Sequence, residues 1–262
     1  MILNLKNKAA LVTGGSQGIG FACIESLASE GCSIGMLART TKVIVEKCEY
    51  ISSKYKVDCI PIEGDVSDPS ISDFATNLML KKFSRLDILI NNSGGPPLGA
   101  FYDHKDEDWY NAINLNLLSV IRFTKHAFPI MKENNFGRII NILSLLAKEP
   151  SAQMVLSATA RAGVIAFTKS ASYDLAPYGI TINNICPGGV LTKRFENLLN
   201  KRAEKLKINV NDFYKERAST VPVGRFASPE EIGSLATFLS SEKSSFITGT
   251  SIVADGGQGK SI

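Results

Sequence analysis

The chain is poor in the residues that build metal sites and disulfide frameworks. Its 262 residues include 2 histidines and 5 cysteines. The histidines have no partner at ligand spacing, so we expect no catalytic metal. The cysteines are odd in number and lack close pairs, which indicates reduced, structural thiols rather than a disulfide-stabilised fold.

Long apolar runs and a strong charge of either sign are also missing. No apolar segment approaches the ~20 residues of a membrane-spanning helix, and the N-terminal segment lacks the pattern of a signal peptide. We therefore expect a cytoplasmic protein with no membrane partner. The net charge is only +4, and a nucleic-acid partner would require a broader basic patch.

A glycine-rich turn is the first informative motif that is present. The apolar run Ala9–Val12 predicts a strand, and TGGSQGIG (Thr13–Gly20) follows it directly. Helical spacing of apolar residues then predicts a helix over Phe21–Glu30. The exposed N–H groups and positive dipole end of such a helix attract a pyrophosphate, which glycines allow to approach the main chain. An ordinary strand-to-helix turn is the alternative, because one motif alone is weak.

The end of the second predicted strand, Ser33–Ala38, bears on the choice of dinucleotide. Arg39 follows it, and residues 38 to 40 include no acid. An acid here would hydrogen-bond the ribose 2′-hydroxyl of NAD, whereas an arginine accommodates the 2′-phosphate of NADP. The sequence therefore favours NADP(H). NAD(H), with a solvated Arg39, is the alternative.

Predicted strands and helices alternate along the rest of the chain. Further strands are predicted at Val57–Ile62, Leu86–Ile90, Gly137–Leu143, Thr181–Cys186 and Ser251–Ala254, with helices at Ile71–Phe83, Asp106–Lys132, Ser151–Pro177 and Pro229–Ser240. This alternation predicts an α/β fold, a Rossmann-type doubly wound parallel sheet with helices on both faces. Functional residues are then expected where the strands end. Those ends are Thr13, Arg39, Asp65, Asn91, Ser144 and Pro187.

These motifs together resemble the short-chain dehydrogenase/reductase family over essentially the whole chain. The family's Thr-Gly-x-x-x-Gly-x-Gly, Asn-Asn-x-Gly and Pro-Gly motifs match Thr13–Gly20, Asn91–Gly94 and Pro187–Gly188. The resemblance implies that Asp65 contacts adenine and that Thr192 contacts the nicotinamide carboxamide. Besides Arg39 and Arg161, the cofactor-binding residues that it implies are Gly14, Ser16, Gln17, Gly18, Ile19, Gly20, Asp65, Val66, Asn91, Ser93, Gly94, Pro187, Gly188, Val190 and Thr192.

The same resemblance assigns four positions to the chemistry, and two of them carry unexpected residues. Asn116 fits the asparagine that orders a relay water, and Ser144 fits the serine that hydrogen-bonds the substrate carbonyl. Counting on from Ser144 reaches Ser157 where the family has a tyrosine, and Arg161 where it has a lysine. A phenol titrates near ~10, whereas an aliphatic hydroxyl is a much weaker acid. Arg161 can hold the ribose but cannot release a proton.

The proton donor is therefore open at the level of sequence. Ser157 acting through water is one candidate, and Lys148 or Glu149 is another. The segment Tyr50–Lys54 matches Tyr-x-x-x-Lys by letter, but it precedes the third strand, so we interpret it as a chance match on a surface helix.

The chain further resembles a branch of the family that is similar to 3-oxoacyl-acyl-carrier-protein reductases but lacks the Tyr-x-x-x-Lys pair. The segments Asn92–Pro97 and Lys148–Pro150 carry this likeness. It implies an NADP(H)-dependent oxidoreductase that interconverts a carbonyl and an alcohol in a non-standard active site. The alternative is a catalytically weak or silent dinucleotide-binding scaffold or sensor.

We expect one dinucleotide-binding domain over residues 1–262, with a substrate-covering insertion at 193–228. Basic residues concentrate in Lys193–Lys207, which we interpret as a solvated lid helix; recognition of an acidic substrate such as an acyl thioester is the alternative. The substrate is expected to be a small carbonyl compound or alcohol. Family members commonly pair through their long helices, here beginning at Asp106 and Ser151, which implies a homotetramer or a dimer. The apolar side predicted for the lid comprises Leu198, Leu199, Leu206, Ile208, Phe213 and Tyr214.

Overall fold

The structure is a computed structural model that describes residues 2–260, and within them seven parallel strands form one sheet in the order β3-β2-β1-β4-β5-β6-β7. The strands are β1 (Ala9–Thr13), β2 (Ser33–Ala38), β3 (Cys59–Glu63), β4 (Ile88–Asn91), β5 (Gly137–Ile142), β6 (Ile180–Pro187) and β7 (Ser251–Ala254). The helices are α1 (Gly18–Ser29), α2 (Thr41–Tyr55), α3 (Ile71–Phe83), α4 (Asp106–Ile113), α5 (Ser119–Glu133), α6 (Val155–Leu175), α7 (Lys193–Leu206), α8 (Val210–Ser219) and α9 (Pro229–Leu239). The predicted doubly wound α/β fold is confirmed.

Each face of the sheet is covered by its own set of helices. Apolar side chains of α1, α2 and α9, such as Leu27, Ile51 and Leu239, are fully buried against one face. Side chains of α3 and α5, such as Met79 and Phe123, are fully buried against the other, together with the end of α6. Burying an aliphatic or aromatic side chain of this size stabilises the fold by about 1.5–3 kcal/mol. The near-continuous apolar runs of the strands follow from burial on both faces.

A row of hydrogen-bonded amides crosses the middle of the sheet. Asn91, Asn141 and Asn184 are register partners on β4, β5 and β6. Asn91 Nδ2 donates to Asn141 Oδ1 (2.8 Å), and Asn141 Nδ2 donates to Asn184 Oδ1 (2.9 Å). Asn184 Nδ2 continues the row to Ser251 Oγ on β7 (2.9 Å), and the Thr168 hydroxyl of α6 donates to Asn184 Oδ1 (2.8 Å). Because a slip of register would leave these buried amides unpaired, the row fixes the alignment of four strands.

Several predicted boundaries differ from the structure, and three of these differences have a clear local reason. The helix predicted over Asp106–Lys132 is interrupted, because Asn114–Leu118 forms one wider π-helical turn between α4 and α5. The long helix predicted from Ser151 begins at Val155, since Gln153 has a φ of 66°, outside the helical region. The third strand begins at Cys59 rather than Val57, after α2 ends in a left-handed residue.

Residues 193–228 form α7, α8 and their flanking turns around a small core of their own. Leu199, Phe213 and Phe226 are buried there together. Leu206 and Ile208, which the sequence placed on the apolar side of this segment, are 59% and 40% exposed. Leu206 is the last residue of α7 and Ile208 lies just beyond it, so the apolar side is shorter than predicted.

Replacing the central amide of the row tests its contribution to stability. We expect Asn141→Ala to lower the free energy of unfolding by about 2–4 kcal/mol, because each buried partner left unsatisfied costs about 1–3 kcal/mol. Urea denaturation measures this difference. Asn200→Ala, at an exposed position of α7, is the matched control. Equal stability of the two variants would contradict a structural role for the row.

Candidate active site

The order of strands reverses between the carboxyl ends of β1 and β4, the point at which an open α/β sheet leaves a crevice. Hydrogen bonds tie the two ends together: Thr13 Oγ1 donates to the carbonyl oxygen of Asn92 (2.8 Å) and accepts from Asn92 N–H (2.9 Å). Asn92 Nδ2 also donates to the carbonyl oxygen of Gly14 (3.1 Å). In open α/β sheets, ligands bind at this reversal point. The glycine-rich turn and the loop after β4 thus form one rigid wall of the crevice.

The N-terminus of α1 is left without a cap at this wall. Gln17 is the N-cap residue and makes no side-chain cap hydrogen bond, and residues 18–29 carry no acid in the first turn. The N–H groups of Gly18, Ile19 and Gly20 lie in this first turn and have no partner within the helix. Such a terminus suits the negative charge of a phosphate group. Ser16, half-buried, precedes it.

Close packing of the turn requires its glycines. Gly14 has a φ of 57°, and a Cβ there would lie 2.7 Å from the carbonyl oxygen of Asn92. A Cβ on Gly20 would lie 2.4 Å from the carbonyl oxygen of Gly14. The turn can hold this shape, with its N–H groups turned outward, only because both residues lack side chains. The residues present therefore fit a dinucleotide pyrophosphate.

The residues predicted at the adenosine end lie together beside β2 and β3. Arg39 is 80% exposed, and its Nη1 lies 3.8 Å from Asp65 Oδ2. The other oxygen of Asp65 accepts from Ser67 N–H (2.9 Å) and from the Ser67 hydroxyl (2.7 Å). Val66 is half-buried and packs on the α3 side of the core. Because an exposed ion pair contributes little, Arg39 can leave Asp65 for a phosphate at small cost.

Asn116 lies in the π-helical turn and holds the loop after β4. Its Nδ2 donates to Ser93 Oγ and to the carbonyl oxygen of Gly94, both at 2.8 Å. Its Oδ1 is buried and has no hydrogen-bond partner among residues 2–260. Asn91, at the end of β4, donates its side-chain amide to Asn141 in the amide row rather than to this loop. A π turn often marks a functional position, and this one directs Asn116 at the predicted cofactor loop.

The residues after β6 bring α7 across the crevice. Pro187 and Val190 are buried and Gly188 is half-buried. Thr192 is the N-cap of α7, and its Oγ1 accepts a backbone N–H of the first turn at 3.2 Å. Its methyl carbon lies 3.0 Å from the position of a Cβ on Gly18. Thr192 therefore contacts the glycine-rich turn, while its hydroxyl hydrogen is available to a ligand.

The four residues predicted for catalysis lie on three elements. Ser144 follows β5, and its Oγ accepts from Leu146 N–H (3.2 Å), so the hydroxyl retains its capacity to donate. Ser157 and Arg161 lie one turn apart on α6 and are 6% and 7% exposed. The Arg161 guanidinium donates to Ser157 Oγ. The structure thus pairs Ser157 with Arg161, while Asn116 bonds the loop after β4.

Burial and a second cation act on Arg161. Desolvation lowers the pKa of Arg161 to about 10, and repulsion from Arg194 adds to this lowering. The group still carries its proton at neutral pH. No carboxylate within residues 2–260 forms an ion pair with it.

The other candidate donors lie outside this pair. Lys148 is exposed after β5, and Glu149 accepts from Lys260 N–H. Tyr50 and Lys54 lie on α2, which covers the opposite face of the sheet from the end of α6, and their side chains hydrogen-bond each other (2.7 Å). The structure therefore places the Tyr-x-x-x-Lys letters away from Ser157.

Sequence reasoning missed Arg194 as a site residue. The sequence placed Arg194 only in the basic segment Lys193–Lys207. In the structure its Nη2 donates to the carbonyl oxygen of Gly95 at 2.9 Å. The available signal was its position two residues after Thr192, within the first turn of a helix that crosses the crevice. Arg194 joins that helix to the loop after β4.

Metal-binding clusters and membrane-spanning helices are absent from residues 2–260. No group of three or more His, Cys, Asp or Glu side chains is arranged to hold a metal ion. Likewise, none of these residues forms a helix with the length and apolar character needed to cross a bilayer.

Known proteins resemble the chain over nearly its whole length. The sequence model of a family described as enoyl-(acyl carrier protein) reductase matches residues 14–258. NADPH-dependent reductase BacG of Bacillus subtilis is 36% identical over 259 residues, which cover 98% of this chain and 100% of BacG. The 3-oxoacyl-[acyl-carrier-protein] reductase FabG of Vibrio cholerae is 32% identical over 258 residues, or 97% and 98% of the two chains. The chain belongs to the short-chain dehydrogenase/reductase family.

A solved structure agrees with this assignment. L-sorbose reductase from Gluconobacter frateurii, complexed with NADPH and L-sorbose, aligns with a TM-score of 0.96 and 27% identity over 100% of both chains. As a member of the short-chain dehydrogenase/reductase family, the protein is an oxidoreductase. The family resemblance inferred from the motifs is confirmed.

Gly94→Ala tests whether a dinucleotide of this family passes against the loop after β4. A Cβ at Gly94 would meet no atom within 4 Å, so we expect a change in stability within about 0.5 kcal/mol. NADPH affinity, measured by fluorescence titration, is expected to fall because the methyl group would occupy ligand space. Gly20→Ala is the comparison and should lose both stability and affinity. Unchanged affinity in Gly94→Ala would remove Gly94 from the site.

Proposed function

We propose that the protein is an NADP(H)-dependent oxidoreductase that interconverts a carbonyl and an alcohol, similar to 3-oxoacyl reductases. Its active site has Ser157 and Arg161 in place of the tyrosine and lysine usual in the family. The observation that carries the proposal is the crevice between β1 and β4, where an uncapped helix N-terminus meets a loop held by Asn116. Small carbonyl compounds or alcohols are the substrates, and an acyl thioester is one candidate.

NADP(H) is supported by charge at the adenosine end and by the relatives. Arg39 is exposed beside the site, and residues 38 to 40 include no acid that would repel a 2′-phosphate. BacG is described as NADPH-dependent, and L-sorbose reductase was solved with NADPH. NAD(H) remains the alternative cofactor.

The dinucleotide, when bound, supplies or accepts the hydride at the substrate carbon. The first turn of α1 holds its phosphates through backbone N–H groups. Asp65 and Val66 border the adenine, while Arg161 donates to the nicotinamide ribose. Thr192 donates its hydroxyl hydrogen to the carboxamide. The remaining proposed contacts are made by Ser16, Gln17, Asn91, Ser93, Gly94, Pro187, Gly188 and Val190.

The proton is delivered without a phenol. Ser144 donates a hydrogen bond to the substrate oxygen, and Asn116 orders a water nearby. Because Ser157 Oγ accepts from Arg161, its own hydrogen can pass through a bridging water toward that oxygen. The alkoxide this leaves is stabilised by the Arg161 cation and regains a proton from solvent water. Lys148 or Glu149 is the substitute proton donor if Ser157 does not donate. A general acid contributes on the order of 10²- to 10⁴-fold, so its weakening slows turnover without abolishing it.

We further propose that residues 193–228 cover the substrate and that the protein assembles as a dimer or tetramer. Phe101, Tyr102 and Tyr110 are 69%, 75% and 72% exposed at the start of the α4 region, an apolar surface that a second copy would bury. Light scattering measures the assembly.

Restoring the family pair tests the non-standard site. We expect wild-type protein to oxidise NADPH slowly with ketones or 3-oxoacyl thioesters, and Ser157→Tyr plus Arg161→Lys to raise kcat on the order of 10²-fold or more. Tyr50→Phe plus Lys54→Met is the control and should leave kcat unchanged. Absence of wild-type turnover, with turnover in the double variant, would favour the scaffold or sensor alternative.

Removing the proposed 2′-phosphate contact tests the cofactor. Arg39→Ala should weaken NADPH binding on the order of 10-fold, as expected for loss of a charge-assisted hydrogen bond, and leave NADH binding unchanged. Titration calorimetry measures both, with the exposed Lys82→Ala of α3 as control. Equal wild-type affinity for NADPH and NADH would overturn the assignment of Arg39.

A further inference from the structure

The π-helical turn Asn114–Leu118 begins with an asparagine whose amide is held at both ends. Asn114 is half-buried, and its Nδ2 donates to the carbonyl oxygen of Ser67 at 2.9 Å. Its Oδ1 accepts from Nη1 of Arg122, on α5, at 2.7 Å. Because a guanidinium only donates hydrogen bonds, Arg122 holds the oxygen and so directs the N–H groups of Asn114 at Ser67.

Ser67 in turn holds a carboxylate at the adenosine end of the crevice. It lies in the turn after β3, which is closed by a hydrogen bond from Asp68 N–H to the carbonyl oxygen of Asp65 (3.0 Å). The N–H and the hydroxyl of Ser67 both donate to Asp65 Oδ1. The other oxygen, Oδ2, is the one that lies 3.8 Å from Arg39. Asn114 therefore fixes the residue that orients the Asp65 carboxylate.

The same turn also holds the loop after β4. Asn116 donates to Ser93 Oγ and to the carbonyl oxygen of Gly94. Successive helical residues point about 100° apart, so residues two positions apart face different sides. Asn114 and Asn116 thus reach two segments that follow β3 and β4, strands that are separated by β2 and β1 in the sheet.

Stability alone is a weak reason for the contact between Asn114 and Ser67. Ser67 is half-buried, so water can compete for its carbonyl oxygen, and the net gain from such a hydrogen bond is small. The contact does give the turn after β3 a fixed position relative to the loop after β4. A dinucleotide that spans both segments binds best when their separation is already set, because less ordering is then required on binding.

Resting on the proposed function, we infer that Asn114 is a positioning residue for the adenosine half of the cofactor, acting through Ser67 and Asp65. Arg122 supports this role by holding the Asn114 oxygen. Asn116 acts on the loop at the nicotinamide side. One helical turn thereby sets the separation of the two ends of the dinucleotide site, and each asparagine affects a different half of the ligand.

Asn114→Asp tests the inference, because it keeps the oxygen that faces Arg122 and removes the N–H group that faces Ser67. We expect affinity for NADPH and for adenosine 2′,5′-bisphosphate, the adenosine half of the cofactor, to fall on the order of 5-fold, as for loss of one hydrogen bond. Titration calorimetry measures both. Asn77→Asp, which makes the same change at an exposed position of α3, is the control and should bind both ligands as the wild type does.

Two further variants separate positioning from a general loss of structure. Arg122→Gln removes the partner of the Asn114 oxygen and should also weaken binding of adenosine 2′,5′-bisphosphate. Asn116→Ala should weaken NADPH binding but leave the affinity for adenosine 2′,5′-bisphosphate unchanged, because its contacts lie at the other end of the site. Urea denaturation checks that each variant is folded.

Three outcomes would overturn the inference while leaving the proposed function intact. The first is unchanged affinity for adenosine 2′,5′-bisphosphate in Asn114→Asp. The second is an equal loss of that affinity in Asn116→Ala, which would assign the effect to the turn as a whole. The third is a wild-type protein that binds NADPH but not adenosine 2′,5′-bisphosphate. Failure of the wild-type protein to bind NADPH would instead contradict the proposed function itself.

Discussion

The pair of hydrogen bonds between Thr13 and Asn92 is the constraint on which the rest of the site depends. It joins the ends of β1 and β4. From these two central strands the later strands are added toward opposite edges of the sheet, which leaves a crevice between them. The glycines of the turn then set how closely the main chains approach, and the uncapped helix supplies unpaired N–H groups. A phosphate-binding surface follows from these contacts before any catalytic side chain is considered.

A second constraint comes from the buried amide row. Asn91, Asn141 and Asn184 align β4, β5 and β6, and these strands lead to the loop held by Asn116, to Ser144 and to Thr192. Because buried amides pair in one register only, the row fixes the ends of β4, β5 and β6 relative to one another along the strand direction. Thr168 extends the same network to α6, the helix that carries Ser157 and Arg161.

Three positive features around the crevice favour anions. Arg39 is exposed after β2, the first turn of α1 offers the positive end of its dipole, and Arg194 donates to Gly95 in the loop after β4. A dinucleotide with phosphates at two places would neutralise part of this positive charge. Burying Arg161 with only the neutral Ser157 hydroxyl as its partner is costly, which indicates that this part of the site is built for a ligand rather than for stability.

The sequence by itself determined the alternation of strands and helices, the glycine-rich turn and the family, because each depends on local patterns of residues. Through its resemblance to the family it also predicted Asn116, Ser144, Ser157 and Arg161 as site residues, and their catalytic roles remain predictions. The tertiary structure alone decided the π-helical turn, the pairing of three distant asparagines and the approach of Arg194 to Gly95. These features depend on contacts between residues far apart in the chain. Local periodicity and helix or strand propensity carry no information about such contacts.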